Sequence, residues 1–178
     1  VERGRQLLVS DDKPLEATLW LHRAQKGGAS DEILGDLLHD SMRSLKATKF
    51  VLAGHQDSVH HANHSNNGRY IVTASADKTV RVWLLATGQQ AALMRGHDDE
   101  VIRAIFSPDD QYVVSASADK TARVWDAQTG TQLLVLRGHA DKVADVDFSP
   151  DGRKVVTASW DRTVCEWETG SGRLIARL

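Results

Sequence analysis

Three nine-residue stretches, SADKTVRVW at 75–83, SADKTARVW at 117–125 and SWDRTVCEW at 159–167, follow one another at intervals of 42 positions. No other feature constrains the fold as strongly, because repetition at a fixed period means that one structural unit is copied and stacked. Other landmarks keep the same 42-residue interval: Gly54-His55, Gly96-His97 and Gly138-His139, then Trp83, Trp125 and Trp167. So do the turn-forming clusters Ser65-Asn66-Asn67-Gly68, Ser107-Pro108-Asp109-Asp110 and Ser149-Pro150-Asp151-Gly152. Each cluster precedes a short β-type run: Tyr70-Ile71-Val72, Tyr112-Val113-Val114 and Lys154-Val155-Val156.

Each unit therefore reads as a strand after Gly-His, a turn, a second strand, a tight turn at Asp, a strand ending in Trp, and a fourth strand after Thr-Gly or Ser-Gly. Four antiparallel strands make one twisted sheet with two faces to cover, and copies set around an axis cover each other. This order of Gly-His and Trp-Asp at a 42-residue spacing resembles the WD-repeat β-propeller family over residues 49–178. The resemblance implies a mainly β fold: three four-stranded antiparallel blades, near 54–95, 96–137 and 138–178, plus an extra outer strand near Lys49–Ala53.

Residues 1–47 follow a different rule. Leu15, Leu19 and His22 share a side of a segment that Pro14 can start and Gly27-Gly28 can stop. Ile33, Leu34, Leu37, Leu38, Met42 and Leu45 recur at helical spacing after the N-cap residue Ser30. A shorter helix fits residues 2–9. This α-helical segment resembles the tetratricopeptide-like stretch that precedes WD arrays in large bacterial signalling proteins. The resemblance implies a regulatory parent in the cytoplasm, and Val1 together with the phase at which the repeat stops fits an excerpt of a longer chain.

In the WD-repeat family a His, a Ser or Thr, an Asp and the Trp form a buried hydrogen-bonded tetrad. The resemblance assigns these roles to His55, Thr73, Asp77 and Trp83, to His97, Ser115, Asp119 and Trp125, and to His139, Thr157, Asp161 and Trp167. The chemistry is coherent, since Trp can only donate, a hydroxyl does both, and a carboxylate accepts from imidazole. Ser, His and Asp together also suggest nucleophilic catalysis. Here the set recurs once per structural unit, as a scaffold peg does, and no phosphate-binding loop or Walker-like motif accompanies it. The expectation is a non-catalytic scaffold without cofactor or metal.

Partner binding is expected on the edge carrying the Gly-His loops and Asp turns. The family resemblance places Ser58, His60 and Ala76 there, then Glu100, Ile102 and Ala118, then Lys142, Ala144 and Trp160. His61, Arg103 and Asp145 would border the central channel. Two readings of Trp160 stand: an anchor for a partner, because aromatic side chains dominate binding hot spots, or a cover for the edge of the next blade. A rival reading makes the histidines of the first blade a ligand or metal sensor. On a regular strand, however, His60 and His64 lie roughly 13 Å apart, and His55 is assigned to a tetrad.

Composition argues against nucleic acid and membrane as partners, though a local patch stays open. A net charge of −2 gives no field drawing the chain to nucleic acid or anionic lipid, and no apolar run suits a membrane span. A single cysteine, Cys165, excludes a disulfide framework. Two positions depart from the repeat: His64 stands where the other units have Phe106 and Phe148, and Glu166 where they have Val82 and Val124. Both fall in the outer blades, where three blades in isolation leave open faces and edges suited to self-association.

Overall fold

The computed structural model describes residues 51–178, of which Leu52–Leu178 form one compact unit. The helical expectation for 1–47 lies outside the described residues. Of the extra outer strand expected at 49–53, residues 51–53 are not in a strand, and positions 49 and 50 lie outside the described residues.

Twelve strands make three meanders, each with its strands in sequence order. The first sheet holds β1 (Val59–His64), β2 (Tyr70–Ser75), β3 (Thr79–Leu84) and β4 (Gln89–Arg95). The second holds β5 (Val101–Phe106), β6 (Tyr112–Ser117), β7 (Thr121–Asp126) and β8 (Gln132–Arg137). The third holds β9 (Val143–Phe148), β10 (Lys154–Ser159), β11 (Val164–Glu168) and β12 (Leu174–Arg177). All pairings are antiparallel.

Turn chemistry sets the meander. In the first–second strand turns, the amides of Gly68, Asp110 and Gly152 bond back to the carbonyls of Ser65, Ser107 and Ser149 at 3.0, 2.9 and 2.8 Å. Each of these three residues has φ between 60° and 69°, the left-handed region that glycine enters freely and aspartate tolerates. The next turn, of three residues in the first two sheets and four in the third, holds a left-handed residue, Lys78, Lys120 or Arg162, with φ of 69–71°.

First strands gather at the inside, where β5 packs against both β1 and β9, and successive strands step outward. Between the first two sheets lies a layer of Val72, Val80, Val82 and Met94 against Val101, Phe106, Val113 and Trp125. Between the second and third lie Ile105, Val114, Val124 and Leu136 against Val143, Val146, Val155 and Trp167. Strands β5, β6 and β7 of the second sheet alternate between these two layers, so that sheet is apolar on both faces and β-branched residues suit it. Each fully buried Val or Leu contributes about 1.5–3 kcal/mol. The sheets thus hold one another, and their loops emerge along two edges.

Candidate functional site

On one edge each unit carries the same polar chain. The indole N–H of Trp83 donates to the Thr73 hydroxyl at 2.8 Å, and that oxygen lies 2.7 Å from His55 Nε2. His55 Nδ1 is 2.8 Å from the Asp77 carboxylate. In the second sheet, Trp125, Ser115, His97 and Asp119 are joined at 2.8, 2.8 and 2.7 Å. In the third, Trp167, Thr157, His139 and Asp161 are joined at 2.8, 2.8 and 3.0 Å. Because Trp only donates, the hydroxyl accepts there and gives its proton to Nε2, leaving Nδ1–H to donate to the carboxylate. That assignment requires neutral histidine beside ionised aspartate.

The electrostatics agree with it. Burial lowers the pKa of His97 despite the opposing pull of Asp119. Burial pushes Asp119 the other way, but hydrogen bonds from His97 and Thr121 hold it far below the usual carboxylate range. Asp77 is likewise raised by burial and lowered further by the Thr79 hydroxyl and the Gln56 amide. The hydroxyl–imidazole–carboxylate order matches a hydrolytic triad, yet the oxygen is already engaged by both the indole and the imidazole. It is covered on one side by the indole N–H, and Ser115 and Thr157 have no exposed surface. The trio ties the Asp turn to the Gly-His loop.

An arginine completes each chain, and the sequence reading missed it. Arg81 and Arg123 lie 4.0 and 3.5 Å from Asp77 and Asp119 and are steadied by Gln90 and Gln132. In the third sheet Cys165 occupies that position, and Arg177, its cross-strand partner on β12, reaches Asp161 at 3.3 Å instead. The 42-residue recurrence of Arg81 and Arg123 was a readable signal; the move to Arg177 required the strand pairing. These guanidiniums also explain a glycine: at Gly96, with φ of 152°, a Cβ would stand 2.6 Å from the Arg123 head group.

The same edge carries the side chains expected to meet a partner. The amides of Ala76, Ala118 and Trp160 donate to the carbonyls of Ser58, Glu100 and Lys142 at 2.9–3.0 Å, so each Asp turn is bound to the start of a first strand. Within each first strand the pairing register slips, at Val59/His61, Val101/Arg103 and Val143/Asp145. The extra residue is His60, Ile102 or Ala144, and such a bulge re-aims its side chain. His60 thereby reaches Glu100 at 3.1 Å, Glu100 meets Lys142 at 3.3 Å, and the Lys142 ammonium stands 5.7 Å from the Trp160 ring centre. A continuous line of polar contacts crosses three blades and ends on an indole that is 66% exposed. One step further along, Arg103 contacts Asp145 at 3.0 Å, and His61 turns to the carbonyl of Ala104. Burial, then the nearby Arg103, lowers the pKa of His61.

The first-blade histidines thus diverge to different partners. Among the described residues no three His, Cys, Asp or Glu side chains gather in a way that could hold a metal ion. Two open grooves, of about 670 and 570 Å³, lie between neighbouring sheets at the opposite edge, lined by residues such as Tyr112, Arg153 and Glu168 or Asn67, Tyr70 and Asp110.

The family model described as "WD domain, G-beta repeat" matches residues 46–83, 88–126 and 130–168. This chain belongs to the WD40 repeat family. The matched units are offset from the sheets: residues 88–126 join β4 of the first sheet to β5, β6 and β7 of the second. A curated relative, the Notchless protein homolog of Arabidopsis thaliana, is 44% identical over 50 residues, which is 28% of this chain and 11% of the relative. The crystal structure of RRP9 WD40 repeats and the structure of U3-55K each superpose with a TM-score of 0.69 at 25% identity. Both alignments cover 72% of this chain and 41% of the solved one. The chain therefore spans about a tenth of that curated relative and about two fifths of those solved chains.

Proposed function

We propose that this WD40 unit is a rigid docking surface for another protein, and that it binds through the edge bearing Ser58, His60, Glu100, Ile102, Lys142 and Trp160. The observation that carries the reading is Trp160, 66% exposed at the end of the His60–Glu100–Lys142 line. An indole held in the open by backbone bonding at its own amide keeps little freedom to lose on binding. The alternating charges beside it fix the register of a partner more than they add affinity. Three covalently linked blades spread these groups over a surface that loops alone would not hold in shape.

The WD40 fold commonly serves as a protein-interaction scaffold, which supports this use. A place inside a larger regulatory protein fits the short span of its relatives that the chain covers. A bacterial signalling parent rests on residues 1–47, outside the described residues, and the curated relative is a plant protein. A photo-crosslinking amino acid at position 160 should capture a partner in the cells that make the protein. The capture should disappear with Glu100→Lys, while the same probe at position 153, on the opposite edge, captures nothing. Capture at 153 and not at 160 would overturn the assignment.

A further inference from the structure

Asparagine occurs three times in the chain, at Asn63, Asn66 and Asn67, and only Asn67 is followed by glycine. Asn66 and Asn67 share the turn between β1 and β2, yet their carboxamides are held in different ways. The Asn66 amide nitrogen donates to the carbonyls of Ser107 and Pro108 at 3.0 and 3.3 Å and to the Asp110 carboxylate at 3.1 Å. All three acceptors belong to the second blade, so this NH2 group ties two blades together. Asn67 uses its carbonyl oxygen, which accepts from the Ser65 hydroxyl at 2.9 Å and the Arg69 amide at 2.8 Å. Its NH2 group has no partner among the described residues.

The matching turns of the other blades show what that position requires. Asp109 and Asp151 stand where the first unit has Asn67. Each accepts from the serine of its own turn, Ser107 or Ser149, at 2.6 Å, and from the amide of Gln111 or Arg153 at 3.1 Å. The same two bonds serve all three turns, and a carboxylate makes them as an amide does. The residue after Asn67 gives no obstruction. Gly68 takes φ of 67°, and nothing stands within 4 Å of where its Cβ would be. Asn67 also borders the open groove of about 570 Å³, where water has access.

We infer that Asn67 is a site of spontaneous deamidation, and that the turn already has the bonding to hold its aspartate product. The Gly68 N–H donates to the Ser65 carbonyl at 3.0 Å, so the reaction runs through a local opening of this turn. The freed main-chain nitrogen gives its proton to solvent and attacks Asn67 Cγ, and no Cβ on glycine crowds the approach. The Cγ–Nδ2 bond breaks, ammonia departs with a proton from water, and a five-membered succinimide is left. Water then adds to one of the two ring carbonyls. Cleavage of the bond from the Gly68 nitrogen to Cγ gives aspartate on an unchanged main chain. Cleavage of the bond to the main-chain carbonyl carbon gives isoaspartate, whose chain runs through Cβ and is one carbon longer. In sum, asparagine and water become an acid and ammonia. The two products differ at the blade boundary. Aspartate leaves the amides of positions 66 and 67 on the Asp110 carboxylate, where they stand at 2.7 and 2.9 Å. The extra carbon of isoaspartate displaces Gly68 from Ser65 and loosens the turn that grips the second blade.

Peptide mapping by mass spectrometry on the full 178-residue chain, stored for weeks at mildly alkaline pH, tests this. A gain of about 1 Da should appear at Asn67 as two chromatographic forms, aspartate and isoaspartate, while Asn63 and Asn66 keep their mass. Asp110 holds φ of 60° at the position matching Gly68, so Gly68→Asp suits the backbone. That variant should slow the gain about tenfold or more by crowding the nitrogen. Asn67→Asp should melt with the wild type. Asn66→Asp sets a carboxylate against Asp110 and two carbonyls, and should melt at least about 2 °C lower. No gain at Asn67, an equal gain at Asn63 or Asn66, an undiminished rate in Gly68→Asp, or Asn67→Asp melting as low as Asn66→Asp would overturn the inference.

Discussion

Ser115 shows how much one oxygen carries. It accepts the Trp125 indole N–H and lies 2.8 Å from His97 Nε2, with no surface of its own in water. Ser115→Ala leaves a buried donor and a buried acceptor without partners, each worth about 1–3 kcal/mol. Denaturant unfolding should therefore show a loss of about 2 kcal/mol or more, whereas Ser115→Thr should stay near wild type, because Thr73 and Thr157 serve in the other sheets. A pH effect belongs to the same group. His97 is held neutral in the fold, its pKa lowered chiefly by burial. The unfolded chain binds a proton below about 6.5 where the fold does not. The stability from neutral His97 is thus full above about pH 6.5 and falls as the pH drops below it. The urea midpoint should decline from pH 7.5 to 5, and this slope should lessen in His97→Gln at the cost of a lower midpoint throughout. Asp77, Asp119 and Asp161 add a second loss in stronger acid, because hydrogen bonds hold their folded values far below the normal range. Their contribution is complete above about 3.9 and fades as pH falls below it.

At the scale of strands and turns, strain sits where the period repeats. Lys120 takes φ of 71° at the close of the β6–β7 loop, and its side chain is exposed. The left-handed region costs an ordinary residue roughly 1–2 kcal/mol, against about 0.5–1 kcal/mol of unfolded-chain entropy that glycine adds. Lys120→Gly should raise the unfolding free energy by about 0.5–1 kcal/mol, and a melt that moves downward would refute this account of the turn. Much at this scale was legible in the sequence. The 42-residue recurrence of Gly-His, Asp and Trp placed the three sheets, and His55, Thr73, Asp77 and Trp83, which only the family resemblance grouped, stand within hydrogen-bond distance. The bulge at His60, Ile102 and Ala144 was not legible. A bulge is a mismatch between two paired strands, and a strand read alone shows only alternation. Without it, His60 and Glu100 belong to separate blades with no reason to meet. The shift of the arginine from β11 to β12 was hidden for the same reason, since Cys165 and Arg177 become neighbours only through cross-strand register.

At the scale of the whole molecule, stability resides in the two layers between sheets as much as within the sheets. A stacked array behaves as units joined by nearest-neighbour interfaces, so weakening one interface should release one side. Val124 is 1% exposed in the layer that holds the third sheet, with Val146, Val155 and Trp167 in the same cluster. Val124→Glu buries a carboxylate among apolar side chains, which costs several kcal/mol unless the layer opens to admit water. The cheaper response is to part the second and third sheets, because the hydrogen-bond ladder inside each meander is untouched. Hydrogen exchange should then show β9–β12 losing protection while β2–β4, sealed by Val72, Val80 and Val82 against β5 and β6, keep theirs. Glu166→Val offers the mirror-image case, at the position where the outer blade already carries a carboxylate. It removes a charge paired with Lys154 at the surface, and exchange in β9–β12 should stay close to wild type. If Val124→Glu instead collapsed protection evenly across all twelve strands, the array would be unfolding as one cooperative body, and the interfaces would be too strong for the sheets to part singly.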